Sequence, residues 1–189
     1  MTGNMHGLYR KEGEERQPED FYATDPAVIP PLLKILGWES GNKLVWENAC
    51  GAGHLSQVLE LYGHQVISTD LVDRGYGIGG VDFLQPNPYD SLPFDAVITN
   101  PPYSLALEFI QKSLKIAPVV CMFLRLAFIE SERRDKLFTE NPPRYIAVFR
   151  KRVLCSKNAV FPKGESSATC HAWFIWERGY RGNPELLRI

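Results

Sequence analysis

Along this chain, short runs of consecutive apolar residues alternate with stretches in which apolar residues recur every three or four positions. The runs at 43–47, 65–70, 94–99, 118–124, 144–149 and 168–176 have the length and β-branched or aromatic content of strands. The stretch 79–84 is a further short apolar segment, read as one more strand end and interrupted by Asp82. Between them, 26–36, 56–61, 105–116 and 131–139 carry helical spacing, with prolines near the start of the first and Ser131 as the expected cap of the last. The unbroken run at 118–124 predicts a strand buried on both faces. Strands interleaved with helices predict an α/β fold with a mainly parallel sheet, and 144–149 with 168–176 predict a closing hairpin.

Composition bounds this picture. At 189 residues, 44% apolar and 23% charged, the chain suits one domain with a true core. Residues 1–20 are polar and rich in Glu, Arg and Gly, so a flexible arm is expected there, with one domain over 21–189. No apolar run is long enough for a membrane helix, and the start lacks a signal-peptide pattern. The four cysteines, Cys50, Cys121, Cys155 and Cys170, form no metal-ligand spacing with one another or with histidine. Reduced, structural thiols in a cytosolic protein and no metal site are the expectation.

The chemistry concentrates at predicted strand ends. After the run at 94–99 comes Asn100-Pro101-Pro102-Tyr103. The two prolines stiffen the turn, each fixing φ and lacking an N–H. An Asn side-chain oxygen and the Pro101 carbonyl can accept both hydrogens of an exocyclic amine, and Tyr103 can lie against its ring. Upstream, the strand at 43–47 enters Gly51-Ala52-Gly53 and then a helix, a turn that lets backbone approach a ligand closely. Ser56 stands where a dinucleotide fingerprint needs its third glycine. Glu47, just before the turn, would repel a pyrophosphate but suits a cation such as a sulfonium bearing an α-amino group. Asp70 ends the next strand, about 20 residues past the turn, where a carboxylate grips a ribose diol. Asp82 can accept from an adenine amino group, with Phe83 packing on the ring.

In this order these motifs resemble the S-adenosylmethionine-dependent DNA adenine-N6 methyltransferases, in particular the small stand-alone enzymes of phages and prophages. The matching residues are 21–26, 47–53, Asp70, Asp82-Phe83 and 100–103, and the resemblance spans roughly residues 20–180. It implies a Rossmann-like class I methyltransferase fold, seven mostly parallel strands with helices on both faces. It also implies S-adenosylmethionine as cofactor, bound by Tyr22, Thr24, Glu47, Ala49, Gly51, Gly53, Asp70, Leu71, Asp82, Phe83 and Asn100. The catalytic residues it implies are Asn100, Pro101, Pro102 and Tyr103, acting on adenine N6 in DNA within a bacterial or phage-infected cytosol.

The net charge of −1 and pI near 6.4 exclude a general polycation. Residues 141–164 nevertheless carry Arg144, Arg150, Lys151, Arg152, Lys157 and Lys163 and no carboxylate. The basic segment 144–163, which includes much of a long polar insertion at 151–167, is therefore the expected DNA contact. Phe161 in that insertion is expected to fold back onto the core. Three alternatives remain open at this stage: RNA adenine, a protein glutamine amide, or a non-catalytic cofactor- or nucleic-acid-binding protein.

Overall fold

The computed structural model describes residues 23–156, 161 and 169–189, so the arm expected at 1–20, Tyr22, Lys157 and Lys163 lie outside the described residues. The strands are β1 (Ala23–Thr24), β2 (Leu44–Glu47), β3 (Gln65–Ser68), β4 (Ala96–Thr99), β5 (Val119–Arg125), β6 (Tyr145–Val148), β7 (Cys155–Ser156), β8 (His171–Glu177) and β9 (Glu185–Arg188). The α-helices are α1 (Ile29–Leu36), α2 (His54–Leu61), α3 (Ala106–Ile116) and α4 (Asp135–Glu140).

Seven strands form one sheet in the order β3-β2-β4-β5-β8-β6-β9, and β1 pairs with β7 in a separate two-stranded ribbon. Within the large sheet β8 alone runs against its neighbours β5 and β6; the other pairings are parallel. Alternate residues of the central strands feed two cores, as the two-residue period of a strand requires. Trp46, Val97, Val120 and Met122 pack under Phe109, Ile110 and Leu137 from α3 and α4. Val45, Ala96, Ile98 and Cys121 pack under Leu32, Leu33, Leu55 and Leu59 from α1 and α2. The fold is thus an α/β sandwich with helices on both faces, as expected. Helix α3 shows why it forms: Ala106, Phe109, Ile110 and Ser113 make one buried stripe at helical spacing.

The structure departs from the sequence reading in three places. Residues 79–84 form no strand; the Asp82 side chain accepts the Leu84 N–H at 2.9 Å and holds a turn instead. The seventh strand is β9, which the pattern did not reveal because it is a mostly exposed edge. Ser131 makes no side-chain cap, and the chain enters α4 through a 3-10 turn over Glu132–Arg134. The β6–β8 pair is antiparallel as expected, with β7 formed in the connection between its strands.

Strand order positions the site. From β2 the chain moves outward to β3, then returns past β2 to β4, so the connections diverge at the carboxyl ends of β2 and β4. Open α/β sheets bind ligands in such a crevice.

Candidate functional site

The crevice is a cavity of about 410 Å³, and its walls come from the residues after β2, β3 and β4. The glycine turn after β2 is shaped by backbone needs. Gly51 has φ +56 and Gly53 has φ +79, both in the left-handed region that a Cβ disfavours. Asp70 holds the turn from the next strand: Oδ2 accepts the Gly51 N–H at 2.8 Å and Oδ1 accepts the Val72 N–H at 2.9 Å. Asp70, the exposed Leu71, Ala49 and Gly51 all line the cavity. Gly53 is not among the lining residues; a Cβ there would run into the Tyr76 ring.

Glu47 also lines the cavity. It is 2% exposed, and Ser56 Oγ donates to its Oε2 while lying 2.6 Å from Ser68 Oγ. Burial above all pushes its carboxyl up to about 8, and neighbouring Asp70 adds to the shift. Burial thus favours the neutral acid, hydrogen-bonded to Ser56. Cys50 has a thiol pushed up to about 12, by burial first and then by Glu47, so it is no nucleophile. Phe83 lines the cavity but is otherwise core, edge-on to Trp46 at 5.1 Å and 4.8 Å from the Phe109 ring. Asp82 is exposed at the same wall.

At the other end, Asn100 follows β4 and reaches back to the start of the described chain: its Nδ2 donates to Thr24 Oγ1 at 2.7 Å. Thr24 is placed by the β1–β7 ribbon, where it pairs with Cys155. Pro101 is buried, and the Leu105 N–H takes the Pro102 carbonyl at 2.9 Å. The Pro102 carbonyl is thus used within the turn. Tyr103 is half-buried and lines the cavity. Burial pushes its phenol well above the ordinary value, with Arg125 partly opposing the shift.

The Arg125 guanidinium lies 4.9 Å from the Tyr103 ring centroid, an arrangement that holds a cation by the ring's quadrupole. His171 stacks on Phe123 at 5.3 Å and lies 5.9 Å from Tyr103. Burial, then Arg125, holds its imidazole down to about 4, so it is neutral at physiological pH. Arg125 closes β5 on the same sheet edge as Asn100, and its place as the charged end of a buried strand was the sequence signal for it. Arg150, Lys151 and Arg152 follow β6 on that edge and are exposed. Arg144 sits at the opposite edge, paired with Glu177, so it does not belong to this basic rim. The Phe161 ring lies edge-on to His54 at 5.7 Å, and His54 lines the cavity.

Asn48, Cys50, His54 and Arg74 also line the cavity, although sequence reasoning gave them no role. Among the described residues no group of three His, Cys, Asp or Glu side chains could hold a metal ion. No helix of the described chain is long and apolar enough to cross a membrane.

No protein-family model matches the sequence, and no curated protein matches it. Solved structures do match the fold. The type I restriction-modification methyltransferase subunit from Streptococcus thermophilus aligns with a TM-score of 0.66 at 13% identity, covering 90% of this chain and 47% of that one. The 23S rRNA methyltransferase ErmE aligns at 0.56 with 18% identity, covering 87% of this chain and 71% of that one. A SAM-dependent O-methyltransferase from Thermotoga maritima gives 0.56 with 16% identity, covering 84% of this chain and 66% of that one. The chain spans about half the length of the restriction-modification subunits it matches. At such identities the likeness is one of fold, and that fold is the Rossmann-like one of S-adenosylmethionine-dependent methyltransferases.

Proposed function

We propose that this protein transfers a methyl group from S-adenosylmethionine to the N6 amine of adenine in DNA. One observation carries the reading: Asn100, with its amide orientation held by Thr24, opens into the same cavity as the glycine turn and Asp70. A cofactor pocket and an amine-binding turn therefore share one space, as a direct transfer requires.

The cavity residues fit the cofactor in chemistry. Asp70 and Asp82 offer carboxylates to hydroxyl and amino groups of an adenosine, and Leu71 and Phe83 offer apolar surface to its ring. Gly51 and Ala49 leave the floor low, and Thr24 closes it from the β1–β7 ribbon. When bound, S-adenosylmethionine supplies an electrophilic methyl group on a sulfonium.

The remaining chemistry belongs to the chain. An adenine amine is a poor nucleophile because its lone pair is conjugated with the ring. Asn100 Oδ1 and the Pro101 carbonyl accept its two hydrogens, which favours pyramidal nitrogen and frees the lone pair. The same two oxygens stabilise positive charge as it develops on that nitrogen, and they are in place beforehand. Tyr103 stacks on the base with the ring face away from Arg125 and replaces the stacking lost when the base leaves a duplex. The nitrogen gains a methyl group and afterwards releases one proton to water, so no strong base is needed. Arg125, Arg150 and Lys151 supply cations on the rim for the phosphate backbone.

The test is labelled-methyl transfer to unmethylated DNA, RNA and a protein extract in parallel, followed by nucleoside mass spectrometry. N6-methyladenine in the DNA digest, lost in Asn100→Ala, is the expected result. Label confined to RNA or to a glutamine amide would keep the cofactor pocket and replace the acceptor. Cofactor binding without transfer to any acceptor would overturn the enzymatic reading.

A further inference from the structure

Helix α3 follows the Asn-Pro-Pro-Tyr turn, and its Lys112 reaches across to the segment 83–90. Lys112 Nζ donates to the Gln85 carbonyl at 2.8 Å and to Asp90 Oδ2 at 2.9 Å, and it lies 5.0 Å from the Phe83 ring centroid. One ammonium thus ties three residues of a single segment. That segment needs outside anchors, because residues 79–87 belong to no helix or strand. It also supplies a wall of the cavity through Val81, Asp82, Phe83 and Leu84. The Gln85 peptide closes the Asp82 turn: its N–H meets the Asp82 carbonyl at 3.2 Å, while its own carbonyl is held by Lys112. Asp90 repeats this at the far end, accepting the Asn87 N–H at 3.2 Å on the oxygen that takes Lys112.

We propose that Lys112 is a positioning residue, fixing the wall that meets the base of the cofactor. By holding the Gln85 carbonyl it sets where the exposed Asp82 carboxylate stands, and so how well an adenine amine is told from another group at that position. The inference rests on the S-adenosylmethionine reading given above, and on the contact assigned there to Asp82. A part-exposed ion pair by itself contributes little to stability, so the consequence of this one lies in what it holds. Its own element supports the assignment. Phe109, one turn before Lys112 on α3, lines the cavity and packs 4.8 Å from the Phe83 ring. The helix that leaves the catalytic turn therefore also carries the anchor of the opposite wall.

The test titrates the full chain with two ligands. S-Adenosylhomocysteine presents the adenine amine, and S-inosylhomocysteine has a carbonyl oxygen in its place. Wild type is expected to prefer the first, because a carboxylate accepts from an amine and repels a carbonyl oxygen. Lys112→Met keeps an unbranched stem and removes the ammonium. The expected result is S-adenosylhomocysteine affinity weakened by about 3- to 10-fold, the order of one hydrogen bond, with S-inosylhomocysteine little changed. The preference therefore shrinks, the cofactor KM rises by the same factor, and kcat at saturating cofactor stays as in wild type. Lys112→Arg keeps a cation with several donors and should recover most of the preference. A Lys112→Met chain that melts cooperatively yet keeps the wild-type preference would overturn the proposal, as would equal weakening of both ligands or a loss confined to kcat. A wild type that binds both ligands equally would overturn it too, by removing Asp82 from the base. A wild type that binds neither would instead overturn the cofactor reading beneath it.

Discussion

Asn100 and Thr24 stand 76 residues apart in the chain, yet the Asn100 Nδ2 donates to the Thr24 Oγ1 at 2.7 Å. That bond commits the Nδ2 end of the amide to the interior of the protein. Thr24 is itself 4% exposed and anchored through the β1–β7 pair.

Thr24→Val should therefore slow methyl transfer while leaving the fold intact. One neutral hydrogen bond is worth about 0.5–1.5 kcal/mol, so the expected loss in kcat is about 2- to 10-fold. Asn100→Ala should lose transfer almost completely. Initial rates under saturating cofactor measure both, and a Thr24→Val enzyme as fast as wild type would mean that the amide is oriented by other contacts.

Glu47 makes stability pH-dependent. Its carboxyl sits at about 8 in the folded protein, mainly through burial, against 4.5 for an ordinary glutamate. Between these values the folded state holds a proton that the unfolded state has lost, so stability falls as pH rises through that window. The slope from this one group is about 1.4 kcal/mol per pH unit. Glu47→Gln keeps the neutral shape and should remove that slope, leaving the variant more stable than wild type at pH 8–9. Urea melts at pH 5, 7 and 9 check this; parallel curves for the two proteins would show Glu47 ionised throughout.

Gly53→Ala should destabilise the protein by about 1 kcal/mol or more, because φ is +79 and the new methyl meets the Tyr76 ring. Tyr76→Ala on that background should recover the steric part and leave the backbone part. A double-mutant cycle in denaturant separates the two. Additive effects would show that the ring moves aside without cost.

Arg125 offers a test of the acceptor. Held over Tyr103 at the rim, it should neutralise one phosphate of a bound nucleic acid. Arg125→Ala should weaken DNA binding and reduce the slope of log K against log salt by about 1, with cofactor affinity unchanged. An unaltered salt slope would remove Arg125 from the interface.

Much of the framework was legible in the order of residues. The apolar runs at β2, β4 and β5 predict buried strands because a strand covered on both faces must be apolar at nearly every position. The glycine turn and Asn-Pro-Pro-Tyr are legible for a similar reason: left-handed backbone and fixed φ angles are local requirements that few residue types meet. Edge strand β9 escaped notice because an exposed edge carries little hydrophobic signal.

What each polar group faces was decided only by packing. Glu47, Asn48 and Asp82 stand in motifs that promise chemistry, yet Glu47 turns to Ser56 from α2, Asp82 to its own turn, and the Asn48 amide is buried without a hydrogen-bond partner. Arg144 and Arg150 lie six residues apart in one basic stretch, and strand β6 between them sends one to each edge of the sheet. Hydrophobic periodicity and backbone constraints act over a few neighbouring residues, so sequence alone determines the elements and their turns. Partners, burial and titration depend on strands and helices distant in the chain, and these exist only once the sheet has assembled.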